Sequence, residues 1–286
     1  MKAQIIGLDI GRDMVKIVTD NNRLTFPSRV GEWRKMKLNT GGDYELAING
    51  EKYFIGELAE ESYFSRQMAT ESKITEETKI LFLGAIALVA DSRPISINTG
   101  IPVTQHTKET KKELTELLTG TYTLKLNKSE SRTVTISDIG IIPESVGAYW
   151  DMILSSEGNG QNRSITYKTV RIIDIGSRTV NYCTIKSKKY LDRDSGTLNY
   201  GVLEFENAKG GEESFARRII ADLSKKWLNY SDNDHILLTG GGSLLLEEYL
   251  TKHFNNSQIV ANPVMSNASG FYKMGVARWK LKQNAR

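Results

Sequence analysis

Two short stretches of this sequence carry residues suited to phosphate and metal chemistry. Asp9-Ile10-Gly11 closes one apolar run and Asp174-Ile175-Gly176 closes another. In each, the glycine permits positive φ and lets backbone N–H groups approach an anion. An aspartate at a strand end suits hydrated Mg2+, which takes oxygen ligands and keeps several of its waters. Lys16 follows Asp9 by seven residues, on the returning strand of the same hairpin, where an ammonium reaches β- and γ-phosphates. One Asp-x-Gly is an ordinary structural turn. Two copies set in "GLDIGRDMVKIVTD" and "IIDIGSRTVNYCTI" share a larger design: apolar strand, Asp, Ile, Gly, polar turn, apolar strand. That repeat predicts two similarly built domains.

Two further stretches fit the same chemistry. Thr239-Gly240-Gly241-Gly242-Ser243 joins a strand to a helix. Three glycines let a ligand lie on the backbone, and a helix N-terminus favours phosphate or ribose oxygens. Ile142-Pro143-Glu144-Ser145-Val146-Gly147 ends a strand and opens a helix. A carboxylate there either orients a water towards a γ-phosphate or serves the helix dipole from the first turn. His106, His235 and His253 have no metal-ligand spacing, and no Ser-His-Asp, Walker A or G-x-G-x-x-G pattern occurs.

The elements that must position these residues are legible in outline. Strands are expected at 3–9, 14–19 and 23–27, joined as an antiparallel meander. Asn49-Gly50 marks a hairpin within 44–55. Helices are expected at 75–90, capped by Thr75, and at 107–118, 144–154, 243–254 and 269–280. Another helix follows Gly210-Gly211 and runs to about residue 227. Strands are expected at 95–99, 122–126, 133–142, 170–174, 180–186, 235–239 and 258–260. Residues 155–164 read as an exposed loop.

Bulk properties narrow the class. The 286 residues suffice for two medium domains. A net charge of +4 and the lack of a Lys/Arg block argue against direct, sequence-specific nucleic-acid binding. Lys186, Lys188 and Lys189 flank one turn as a solvated loop. The single cysteine, Cys183, sits in an apolar run as a buried strand residue and fits a reducing cytoplasm. The longest apolar stretch, residues 80–90, falls short of the ~20 residues a membrane span needs. It reads as a buried helix, so no membrane anchoring is expected.

At this point the residues resemble the actin, sugar-kinase and heat-shock-chaperone ATPase superfamily. Asp9-Ile10-Gly11 with Lys16 looks like its first phosphate motif and Asp174-Ile175-Gly176 like its second. Residues 143–148 look like its first connecting helix, 238–243 like its adenosine motif, and Ala268-Ser269-Gly270 like its second connecting helix. Within the superfamily, "FPSRVG", "YFIGELA", "TGIPV" and "PESVGAY" resemble plasmid-segregating bacterial actins of the ParM and AlfA type. The resemblance implies an α/β actin-like fold: two ribonuclease-H-like domains around a nucleotide cleft. Domain I would comprise 1–145 plus 270–286, with a small upper subdomain at roughly 26–75, and domain II would comprise 146–269. The short spacing from Asp174 through Gly210 to the adenosine motif implies that the upper subdomain of domain II is reduced or absent.

The resemblance also implies a function. The chain would bind ATP or ADP with Mg2+, hydrolyse ATP, and polymerise head to tail in the cytoplasm. It would drive DNA segregation through a DNA-binding adaptor on a centromere-like site. Asp9 and Asp174 would hold Mg2+ largely through water. Lys16 and the backbone at Gly11, Arg12, Gly176, Ser177 and Arg178 would take the phosphates. Glu144 would orient the attacking water. Gly240, Gly241, Gly242 and Ser243 would support ribose and adenine, with Glu212 or Glu213 as a ribose contact. One departure is that Asn181 stands where the second phosphate motif usually carries another Asp, which implies slow hydrolysis. Alternatives are a small-molecule kinase of the same superfamily and an ATP-binding scaffold of the cell-division type.

Overall fold

The structure is a computed structural model that describes residues 3–37, 44–67, 72–205 and 211–284. It falls into two compact units, residues 1–99 with 107–141 and residues 100–106 with 142–286. Residues 100–106, 142–145 and 270–286 thus fall in the second unit, whereas the sequence reading grouped them with the first domain.

The first unit opens with the expected meander, β1 (Gln4–Ile10), β2 (Met14–Val18) and β3 (Arg23–Pro27), paired antiparallel. Then come β4 (Arg29–Glu32), β5 (Tyr44–Ile48), β6 (Glu51–Ile55) and β7 (Ser65–Gln67). Asn49 and Gly50 both take positive φ, 51° and 92°, as a two-residue β5–β6 turn requires. Helix α1 (Glu76–Val89) starts at Thr75, whose side chain accepts the Thr78 N–H. Nine of its residues are buried, as expected for this apolar stretch. Next follow β8 (Ile95–Ile101), α2 (Lys108–Leu118), β9 (Gly120–Leu126) and β10 (Arg132–Pro143). The strands form one sheet in the order β3-β2-β1-β8-β10-β9-β5-β6-β4-β7, with β1 and β8 parallel. Every residue of β1 is buried, the signature of a strand covered on both faces.

The second unit holds α3 (Val146–Ile153), β11 (Thr169–Ile175), β12 (Val180–Lys186), β13 (Lys189–Tyr190), β14 (Gly196–Leu198), α4 (Gly211–Lys226), β15 (His235–Thr239), α5 (Ser243–His253), β16 (Ser257–Ile259) and α6 (Ser266–Asn284). Its sheet runs β13-β12-β11-β15-β16, with β14 paired to β12. Alternation along β11 divides the core. Val170 and Ile172 pack in one cluster with Tyr149 and Ile153 of α3, while Ile173 and Ile175 join Phe215, Ile219, Leu246 and Leu250 of α4 and α5. By parity Asp174 lies on the α3/α6 side. Helices α3 and α6 cross at glycines: a Cβ on Gly270 would strike the Gly147 carbonyl. Among the described residues, the chain between β12 and β15 adds only β13, β14, short 3-10 turns and α4, so no further subdomain is inserted there. Gly210 lies outside the described residues.

Candidate functional site

In the first unit Asp9 faces Lys16 in strand register, and Lys16 Nζ stands 3.0 Å from Asp9 Oδ2. The pair is enclosed, with side chains 6% and 19% exposed respectively. The turn beyond closes through the Gly11 N–H, which donates to the Met14 carbonyl at 3.1 Å. A Cβ on Gly11 would come within 2.7 Å of that carbonyl oxygen and 3.1 Å of Lys16 Nζ, so only glycine keeps this turn tight against the ammonium. Three turn carbonyls are occupied. Ser28 Oγ donates to Gly11 O at 2.6 Å, the Ser28 N–H donates to Asp13 O at 2.7 Å, and the buried Lys73 ammonium donates to Ile10 O. Arg12 is half-buried on the same turn.

The second unit repeats this geometry. Asp174 faces Asn181 in register, and the Gly176 N–H donates to the Thr179 carbonyl at 2.9 Å. Here the carbonyls of Gly176 and Ser177 accept the Val202 and Leu203 N–H groups at 3.1 and 2.9 Å. Asp174 is buried and its Oδ2 accepts Asn267 Nδ2 of α6 at 2.8 Å. Ser177 and Arg178 are half-buried, and Arg178 Nε is enclosed without a hydrogen-bond partner.

The glycine turn abuts the Asp174 carboxylate. Gly240 has φ +80°, and a Cβ there would lie 2.6 Å from Asp174 Oδ1 and collide with Ile175 O. The Gly242 N–H donates to Ile175 O at 3.0 Å, and Thr239 Oγ1 bonds both Pro263 O and Ser266 Oγ. Gly241 is exposed, with open space where a Cβ would be. Ser243 is turned inward, its hydroxyl donating to Gly240 O at 2.7 Å, so it braces the turn.

Glu144 belongs to neither β10 nor α3. The helix expected from residue 144 begins at Val146, because Ser145 takes φ 68° and breaks the backbone run. The carboxylate is therefore not in the helix's first turn. Its backbone N–H donates to Ile101 O at 2.7 Å, and its Oε2 accepts Asn181 Nδ2 at 3.1 Å. Asn181 Oδ1 in turn accepts Thr197 Oγ1 at 2.7 Å.

The second unit thus gathers Asp174, Gly176 and Gly240, and separately Glu144 with Asn181. Glu212 and Glu213 stand exposed on the first turn of α4, where Glu213 pairs with Arg217 at 2.6 Å. That is the ordinary setting of acidic residues at a helix N-terminus. Sequence reasoning missed Asn267, Thr197, Ser28 and Lys73. A signal for two of them was present: Ser28 lies in "FPSRVG" and Asn267 directly precedes the motif Ala268-Ser269-Gly270.

The residues fit a phosphate-bound Mg2+. Asp174 offers a buried carboxylate beside a glycine cradle that a Cβ would fill, and Lys16 offers an ammonium beside another. Among the described residues no three His, Cys, Asp or Glu side chains group as metal ligands. A Mg2+ held by one or two carboxylates, phosphate oxygens and water does not require such a group. No helix among the described residues is long and apolar enough to cross a membrane.

Comparison with known proteins agrees with this geometry. Residues 7–147 match the family model of the actin-like proteins N-terminal domain. The chain superposes on the apo psk41 ParM protein with a TM-score of 0.82 at 19% identity, covering 100% of this chain and 99% of that one. A ParM protein from a 15-stranded filament of Clostridium botulinum gives a TM-score of 0.78 at 21% identity, covering 96% and 99%. Ta0583, an archaeal actin homolog in complex with ADP, gives 0.78 at 20% identity, covering 96% and 99%. No curated protein matches the sequence. The fold that carries the paired Asp-Ile-Gly turns is therefore the actin-like fold.

Proposed function

We propose that this chain is a filament-forming ATPase that binds ATP with Mg2+ and drives DNA segregation in the cytoplasm. Its contact with DNA would run through a DNA-bound adaptor. The observation that carries the reading is the doubled Asp-Ile-Gly turn on a fold shared end to end with ParM proteins. Lys16 and the N–H groups of the two turns take phosphate oxygens. Asp174 and Asp9 are the carboxylates for a hydrated Mg2+, which supplies positive charge to the developing leaving group. Glu144 accepts a hydrogen bond from the attacking water. Water oxygen bonds to the γ-phosphorus, the bond to the β–γ bridging oxygen breaks, and ADP and phosphate leave, with the water's proton passing to phosphate or solvent. The Gly240–Gly242 turn supports the nucleoside.

A head-to-tail contact that does not close into a ring produces a filament. The Ta0583 complex with ADP and the Clostridium botulinum ParM filament support nucleotide binding and self-association as properties of this fold. The test is sedimentation with negative-stain imaging of the pure protein in Mg-ATP, in Mg-ADP and without nucleotide. ATP-dependent filaments are expected. Soluble protein in all three conditions, at tens of micromolar and across salt concentrations, would overturn the reading.

A further inference from the structure

On β12 the residue that faces Asp174 is an amide, and this amide bonds a different carboxylate. Asn181 is 4% exposed and Glu144 8%, and Asn181 Nδ2 donates to Glu144 Oε2 at 3.1 Å. An amide has one accepting and one donating end. Its orientation here is set from behind, because Thr197 Oγ1 donates into Asn181 Oδ1 at 2.7 Å. Thr104 Oγ1 donates to Thr197 Oγ1 at 3.4 Å, which leaves the Thr197 proton for Asn181. Donors therefore run one way, from Thr104 through Thr197 and Asn181 to Glu144. Reversing the amide would oppose its oxygen to the Glu144 carboxylate.

We infer that Asn181 is a positioning residue for hydrolysis, holding the Glu144 carboxylate in one orientation through this relay. The inference rests on the reading of Glu144 as the residue that orients the water. The Glu144 backbone is already fixed, its N–H on Ile101 O and its carbonyl accepting the Ser145 hydroxyl. On the side chain, Asn181 holds Oε2. An aspartate at 181 has no N–H to donate and would set one carboxylate against another. The asparagine in place of the customary aspartate is then a means of holding Glu144, not simply the loss of an acidic group.

The test is a double-mutant cycle on single-turnover ATP hydrolysis, with ATP affinity measured in parallel. Asn181→Ala is expected to slow hydrolysis roughly 10- to 100-fold, the scale of a displaced catalytic group. Affinity should stay within about 3-fold if only the water is affected. Asn181→Asp, nearly isosteric, should slow it at least as much and serves if the alanine variant folds poorly. In a Glu144→Ala background, Asn181→Ala should change nothing further, whereas a merely structural role would give additive losses. Additive losses, or wild-type hydrolysis by Asn181→Ala beside an impaired Glu144→Ala, would overturn the inference alone. Wild-type hydrolysis by Glu144→Ala would remove the reading of Glu144 and the inference with it.

Discussion

The two Asp-Ile-Gly hairpins share a backbone and differ in chemistry. In both, the aspartate pairs in register with the residue seven positions on, and a glycine N–H closes the turn on a carbonyl three residues later. In the first, that seventh residue is Lys16, and it forms an ion pair with Asp9 inside the hairpin. In the second it is Asn181, which turns away to Glu144, and Asp174 is bonded instead by Asn267, 93 residues on. The first hairpin therefore pairs its own aspartate and brings a cation. The second depends on α6 and the Gly240 turn, and its carboxylate is met there by a neutral donor. A repeated strand-turn-strand thus supplies the same N–H geometry twice while its seventh residue sets the charge. In the proposed reaction this suits the first turn to phosphate oxygens and the second to a metal-bound nucleotide.

The largest effect should come from breaking what the second hairpin borrows. Gly240→Ala forces a φ of +80° on a residue with a Cβ and drives that atom into Ile175 O and Asp174 Oδ1. Strain and overpacking together should cost about 3 kcal/mol or more. Gly241→Ala meets open space and should change stability by no more than about 0.5 kcal/mol. Calorimetric melting of both variants checks this. Equal melting temperatures would mean that the Gly240 turn does not constrain Asp174.

Next in size is a matched pair of changes to the partners of the two aspartates. Lys16→Met keeps the bulk but strands the Asp9 carboxylate, which is only 6% exposed. Removing one member of an enclosed ion pair costs about 3 kcal/mol. Asn267→Ala removes one neutral donor from Asp174 and should cost about 1–2 kcal/mol. Urea unfolding, read as separate transitions if the two units unfold apart, gives both numbers. If Asn267→Ala costs as much as Lys16→Met, the contrast between a locally paired and a remotely paired aspartate fails.

What could be seen in the sequence was local, and what could not was long-range. The meander, the Asn49-Gly50 hairpin and the Thr75 cap follow from spacing and turn chemistry within a few residues. The echo of the two turns was equally visible, because strand alternation and Asp-x-Gly survive in the letters. Lys73 and Thr197 were hidden because each meets its partner only after the chain has folded back, across 63 and 16 residues. The start of α3 was misplaced because a positive φ at Ser145 has no signature in a residue of ordinary propensity. Glu212 and Glu213, expected as ribose contacts, stand exposed on the first turn of α4. Acidic residues are favoured there whatever the function. The hydroxyl of Ser243, expected to support the nucleoside, donates to the Gly240 carbonyl, a contact only the folded turn reveals.

The smallest effect tests how far the two hairpins are interchangeable away from their turns. Nine residues after each aspartate the return strand buries a small side chain, Val18 in the first and Cys183 in the second, 1% and 0% exposed. Cys183→Val should therefore change stability by less than about 1 kcal/mol near neutral pH. Burial, aided by the nearby Asp174 and opposed by a hydrogen bond with Ser145, pushes the Cys183 thiol up to about 12 from its ordinary 9.0. The folded state thus keeps a neutral thiol where the unfolded chain ionises. Stability from this difference is fully present below about pH 9 and is lost as pH rises towards 12. Cys183→Val should accordingly flatten part of the alkaline decline in unfolding free energy. The folded wild-type protein should also resist a disulfide-exchanging thiol reagent at pH 8, reacting only at the rate of unfolding. Reaction at the rate of a free thiol would mean that β12 opens locally, and the two return strands would then differ in stability as well as in their seventh residue.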